Sequence, residues 1–355
     1  MDDPQYGGVG GSQGSPDSTH VPPGPIAPLP TAPTPRRRSG WRVLGWLFLA
    51  LSVLVNIGLF VTLLGTVAFF SLGPQSGTFT ESVIQKGSRS KKIVVVNVEG
   101  VINSRQADRV RGQLKMAARD RAVAGLIIRV NSPGGTISAS DRIYNEIRRF
   151  REREGKPVLA FMQGVAASGG YYVSAACEQI MAEPTAITGS IGVIMSYFVL
   201  EDLLGEKLGV LPVVVKSGER KDWPSSYHKP TEEQLEYLQT QLIRPAYARF
   251  LSIVQTSRQE HLSAEQVETL ADGTIFSANE AQENRLIDQI GYLDDAMTLI
   301  QSMADVTNAL VVEYREPFTV RDLVGLRGRP SFLKIDQHTL HEWSTPQVLY
   351  LWRAF

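Results

Sequence analysis

VLAFMQGVAASGG, residues Val158 to Gly170, decides the fold: a short apolar run ends in a turn of small residues and opens onto a helix-like stretch, YYVSAA. IIRVNSPGG, Ile127 to Gly135, has the same strand and glycine turn, and a charged amphipathic helix pattern from Ser138 to Arg153 follows it. Ser168 sits between two alanines and two glycines, so no bulky neighbour blocks a substrate carbonyl and backbone can come close. That makes Ser168 a candidate nucleophile. The competing reading is an N-cap serine at a tight turn, a role without chemistry.

Upstream, Ile93 to Val98 and Leu126 to Val130 are short apolar runs with a polar helix pattern, Arg105 to Asp120, between them. Pro157 to Phe161 continues the alternation, which implies an α/β fold with parallel strands joined by crossover helices. Loops leaving the C-terminal ends of parallel strands gather on one edge of a sheet, where ligands bind. Gly135 and Ser168 are 33 residues apart, close to the length of one βαβ unit. Gly134-Gly135 and Ser168-Gly169 are therefore expected side by side. Two backbone N–H donors from adjacent glycine turns, those of Gly135 and Gly169, would form an oxyanion hole.

A serine needs a base, and the five histidines offer little. His20 is in the N-terminal tail, His338 and His341 are near the C-terminus, and His261 is in a polar helix-like region; His228 is a residual candidate. Its neighbourhood, VVVKSGERKDWPSSYHKP, also holds Lys216 and Lys221. A lysine can deprotonate a serine once burial in an apolar, carboxylate-poor site brings its amine toward neutrality. The alternative for both lysines is a solvated loop charge.

The rest of the chain sets the context. Lys+Arg and Asp+Glu both number 36, so the charge balance asks for no nucleic acid. The single cysteine, Cys177, excludes an intrachain disulfide and a cysteine-ligated zinc cluster, and no cofactor or metal is expected. Residues 1–35 are too rich in Pro, Gly, Ser and Gln to offset ordering entropy, and a disordered tail over 1–40 is expected. Arg36, Arg37, Arg38 and Arg42 then crowd the start of an apolar run from Val43 to Leu72, longer than the roughly 20 residues a bilayer requires. The run exceeds the apolar core of a cleaved signal, which predicts a single transmembrane anchor over 41–72. The flanking arginines predict a cytoplasmic tail and a C-terminal part outside the cytoplasm, on the inner membrane.

IIRVNSPGG, GVAASGGYYVSAACEQIMAEPTAITGSIGVI and VVVKSGERKD, in that order and spacing, resemble the bacterial signal peptide peptidase A family of serine proteases. The resemblance covers about Lys91 to Ala304 and is to the family's short form, because NSPGG and the Ser168 motif each occur once. It implies a Clp protease/crotonase-like fold of ββα units over a catalytic domain at 91–328, with 73–90 as linker and 329–355 unassigned. It also implies a Ser-Lys dyad of Ser168 and Lys221, Gly135 as the oxyanion glycine, and Ser190 aiming the lysine amine. Expected partners are peptides from the membrane, such as cleaved signal peptides, and further copies of the chain in a homo-oligomeric ring with shared active sites. A crotonase-like acyl-CoA enzyme would use the same paired amides but needs neither the anchor nor KSGERKD. A catalytically inactive membrane scaffold would need neither Ser168 nor Lys221.

Overall fold

Ile93, Val95 and Ile127 turn one way from their strands, and Val94, Val96, Leu126 and Ile128 turn the other, yet all are fully buried. Strands apolar on both faces are those of a parallel sheet covered by helices on both sides. The computed structural model describes residues 40–71, 79–316 and 347–352, with the side chains of 66–71 and 347 left out. The expected disordered tail, apart from Gly40, and residues 329–346 and 353–355 of the C-terminal segment lie outside the described residues. The chain divides into two units, Met1–Ser71 and Leu72–Phe355.

In the first unit α1 spans Gly40–Ser71. At 1.5 Å per residue its 32 residues extend about 48 Å, more than the roughly 30 Å of a hydrocarbon core. It is the one helix among the described residues long and apolar enough to cross a membrane. Two of its polar side chains bond inside the helix: Asn56 Nδ2 donates to the Ser52 carbonyl at 2.8 Å, and Thr62 Oγ1 to that of Gly58 at 2.6 Å.

The second unit begins with β1 (Thr80–Gln85), β2 (Ser88–Glu99), α2 (Ser104–Arg119), β3 (Val123–Ser132) and β4 (Gly134–Thr136). It continues through α3 (Ile137–Glu154), β5 (Val158–Ala167), α4 (Gly169–Ser174), β6 (Gln179–Ala182), β7 (Ile187–Gly189) and β8 (Ile194–Ser196). After a long irregular stretch come α5 (Glu232–Leu238), α6 (Arg244–Arg258), α7 (Ala264–Leu270), β9 (Ile275–Ser277), α8 (Ala278–Glu283) and β10 (Gln289–Ile290). Then follow α9 (Leu293–Met303), β11 (Ala309–Arg315) and, past the undescribed stretch, β12 (Gln347–Leu351).

The main sheet runs β1-β11-β2-β3-β5-β6-β10, with β7 added to β5 and β9 to β7. β11, β2, β3, β5, β6 and β10 are mutually parallel, and β1 and β9 pair antiparallel at the margins. Val110 and Leu114 of α2 and Ile143 and Ile147 of α3 cover one face. Ala296, Met297 and Ile300 of α9 cover the other. The helices stop where their chemistry says they should. Asn103 caps α2 through the Gln106 N–H, Thr136 caps α3 through that of Ala139, and Gly155 closes α3 in the left-handed region.

Two stretches differ from expectation. Part of the expected linker at 73–90 is strand, because β1 adds to β11 and β2 starts at Ser88. Its sequence, TESVIQ, shows little alternation, and Val83 is exposed; the pairing comes from a strand more than 200 residues away. Within the unassigned C-terminal segment, β12 forms a second, three-stranded sheet in the order β4-β12-β8.

Candidate active site

β5 delivers Ser168 to the edge of the sheet. Its last residue, Ala167, pairs with Gly189 of β7, and the Ser168 N–H donates to the Gly189 carbonyl at 2.8 Å. The next step turns sharply: Ser168 has φ 53° and ψ −113°, a conformation that side-chain-bearing residues rarely adopt. Its carbonyl accepts the Tyr172 N–H at 2.9 Å, opening α4, while its hydroxyl caps nothing. The capping role that the sequence allowed is therefore not the one the hydroxyl plays. Ser168 is 2% exposed.

The two glycine turns meet. A Cβ on Gly169 would stand 3.0 Å from the Gly134 Cα and 2.7 Å from Ser140 Oγ. Gly134 has φ +102°, and a Cβ there would fall 2.0 Å from the Tyr350 carbonyl oxygen and 2.7 Å from the Gly169 nitrogen. Only glycine fits both positions. Ser132 fixes the first turn by accepting the Gly134 N–H at 3.0 Å while donating its own hydroxyl to the Gly100 carbonyl.

The orientation of Gly135 follows from its neighbours. The Gly134 carbonyl accepts the Ile102 N–H at 2.8 Å, and the Thr136 N–H donates to the Ile102 carbonyl at 2.9 Å. Alternation along β4 then turns the N–H and C=O of Gly135 to the opposite edge, where it pairs with Tyr350 of β12. The Gly135 and Gly169 amides thus border one small space beside Ser168, and the Tyr350 carbonyl oxygen lies in it.

Ser190 follows Gly189 directly, which brings it next to the Ser168 strand end; it has φ 49°, is half-buried, and donates its N–H to the Thr274 carbonyl at 2.7 Å. No hydrogen bond joins Lys221 to Ser168 within one chain. Lys221 is exposed on a single helical turn, Glu219–Asp222, and its amine makes no hydrogen bond or ion pair among the described residues. The turn itself is held from both sides. Lys216 binds Asp222 at 2.8 Å and holds its carboxyl below the usual range, and the Arg220 guanidinium lies over the Trp223 and Tyr237 rings at 5.6 and 4.9 Å. Preceding it is an apolar arm with Phe198, Leu211, Val213 and Val215 exposed, Val215 to 96%. No three His, Cys, Asp or Glu side chains among the described residues could hold a metal ion.

The residue that sequence reasoning missed is Tyr350. Its ring stacks on Tyr172 at 4.9 Å and meets Phe250 at 4.8 Å, and its hydroxyl donates to the Ala246 carbonyl at 2.7 Å. Burial, the dominant cause, pushes the Tyr172 hydroxyl well above the ordinary phenol value, and its 2.6 Å bond to Asp141 adds to this. The run QVLYL was the available signal: short, apolar and following a proline.

Comparison with known proteins points to one family. The sequence model of peptidase family S49 matches residues 150–307, and that of Clp protease matches 80–188, over the sheet that carries both glycine turns. A protein of Enterococcus faecium named as a signal peptide peptidase SppA is 40% identical over 255 residues, covering 69% of this chain and 73% of that one. One of Methanocaldococcus jannaschii, named as a protease, is 34% identical over 239 residues, covering 64% and 75%. Protease 4 of Haemophilus influenzae is 35% identical over 221 residues, which are 60% of this chain but 35% of that longer one. The fold is the Clp protease-like α/β fold, and with relatives matched over most of their own length the chain belongs to peptidase family S49.

Proposed function

We propose that this S49 peptidase hydrolyses peptide bonds with Ser168 as nucleophile and Lys221 as general base. The observation that carries the reading is Ser168 itself: a buried serine in a strained turn, its hydroxyl unspent on capping, beside two glycine amides that border one space. Neutral Lys221 takes the hydroxyl proton as the serine oxygen attacks the peptide carbonyl, and the Gly135 and Gly169 amides hold the oxyanion. The C–N bond breaks as protonated Lys221 gives that proton to the leaving amine. Water then attacks the acyl-enzyme by the same steps and frees the serine. Ser190, beside the strand end, aims the lysine amine.

An exposed Lys221 with no bond to the buried Ser168 supports a site completed by a neighbouring copy in a ring. The apolar arm before Lys221 supports it too, since exposed apolar surface of that extent marks an interaction face. α1 serves as an uncleaved membrane anchor, with the peptidase unit outside the cytoplasm. Substrates are then peptides released in or near the membrane, cleaved signal peptides among them. Labelling with a fluorophosphonate probe tests the nucleophile. The full chain is expected to take up the probe and Ser168→Ala to take up none, and equal labelling of the two would sink the assignment.

A further inference from the structure

β5 reaches the site with two residues more than its neighbour. It keeps step with β3 from Leu126 opposite Val158 to Val130 opposite Met162, and when pairing resumes Ser132 stands opposite Ala166. Asn131 alone thus faces three residues, Gln163, Gly164 and Val165, which form a bulge. Here β5 also changes partner, from β6 as far as Met162 to β7 from Val165 onward. An unbroken register would set Gly134 opposite Ala166 and carry Ser168 about 7 Å past the first glycine turn, at ~3.3 Å per residue. The bulge takes up those two residues and brings Ser168 level with Gly134.

Each residue of the bulge is held. Gln163 Nε2 donates to the Glu183 carboxylate at 3.2 Å, Gly164 turns with φ +63°, and the Val165 N–H donates to Asn131 Oδ1 at 3.3 Å. Asn131 is itself seated on β2, opposite Glu99, and its carbonyl accepts the Gly100 N–H at 2.9 Å. A Cβ on Gly164 would lie 3.2 Å from the same Oδ1, so the asparagine side chain stands directly against the turn. We propose that Asn131 is a positioning residue for the nucleophile: its side-chain oxygen replaces the missing ladder acceptor, holds the bulge, and so sets Ser168 against the paired glycine amides. This rests on the serine peptidase reading above. One exposed hydrogen bond adds little to the stability of a whole domain. Ser168, however, is held at φ 53° and ψ −113°, a conformation that persists only where its surroundings fix it. A displacement of about 1 Å at a reacting atom costs on the order of 100-fold in rate.

The test uses the full chain carrying Asn131→Asp, whose carboxylate oxygen still accepts the Val165 N–H, or Asn131→Leu, of similar size but without an acceptor. A fluorophosphonate probe gives the limiting labelling rate and the half-saturating probe concentration of each, and urea unfolding gives its midpoint. Asn131→Leu is expected to label about tenfold more slowly at saturation, with half-saturation and urea midpoint close to those of wild type. Asn131→Asp is expected to stay within about threefold of wild type. An Asn131→Leu chain as fast as wild type, or an Asn131→Asp chain as slow as Asn131→Leu, overturns the proposal. So does a lowered urea midpoint with the limiting rate unchanged, which would make the bond structural alone. Should Asn131→Leu fail to fold, Asn131→Ala, which demands less room, is read by the same criteria. Wild type that labels no more than Ser168→Ala sinks the serine peptidase reading and this inference with it. Equal labelling of wild type and Asn131→Leu, absent from Ser168→Ala, leaves that reading standing and removes only the role of Asn131.

Discussion

At Gly134 a methyl group would have to share space with the Tyr350 carbonyl oxygen while the backbone holds φ at +102°. Gly155 has a positive φ too, +61°, but nothing lies within 4 Å of where its Cβ would be. The pair separates backbone strain from crowding at the site. Gly155→Ala is expected to lower stability by about 1 kcal/mol and leave turnover intact. Gly134→Ala is expected to abolish turnover as the two glycine turns are pushed apart; urea unfolding and peptide hydrolysis read both. Cys177 makes a second prediction at this scale. Burial pushes its thiol up to about 12, so iodoacetamide at pH 8 should alkylate the folded chain at least about 100-fold more slowly than the chain in urea. Ser168 and its glycines were legible in the sequence because small residues around one serine are a local pattern. That its hydroxyl is free of capping, and that Gly134 rather than Gly135 carries the positive φ, are facts of conformation that no spacing encodes.

β2, β3 and β5 could be read from their apolar runs, since burial on both faces writes itself into every residue of a strand. β1 could not, because it carries little apolar surplus of its own; β12 is apolar enough to suggest a strand, but its pairing depends on partners far away in sequence. What ties β1 to the sheet is partly electrostatic. Lys92 of β2 donates to Glu81 of β1 at 2.7 Å and to Asp120, the residue closing α2, at 2.8 Å. Burial acts to raise the Asp120 carboxyl, but the Lys92 hydrogen bond and the Ala122 N–H outweigh it, so the net direction is downward. A lowered carboxyl stabilises the fold above its unfolded value, about 3.9, and loses that contribution as pH falls through the folded value. Lys92→Met is therefore expected to cost about 1 kcal/mol near pH 7. The cost should shrink toward zero as pH falls through the folded value of Asp120, which urea midpoints across the acid range would show.

For the whole molecule, the proposed sharing of Ser168 and Lys221 between neighbouring copies would make assembly part of the chemistry. Chains carrying Ser168→Ala and chains carrying Lys221→Ala, coexpressed, are expected to regain activity at about a quarter of the sites if each interface of the proposed ring draws its serine and its lysine from different chains. Mixed rings as inactive as either parent would place the dyad inside one chain. Topology has its own check: protease added to sealed spheroplasts should reach the Leu72–Phe355 unit, and protection there would reverse the orientation. The position of β12 has a kinetic corollary. A segment that belongs to the same chain is a competitor at fixed local concentration, on the order of millimolar for tethered groups, and dilution does not weaken it. Every external peptide seeking the β4 edge would then need a higher concentration to reach half-saturation, with kcat and the ranking of substrates unchanged. Saturation of wild type is accordingly expected only at peptide levels well above those that saturate Tyr350→Ala.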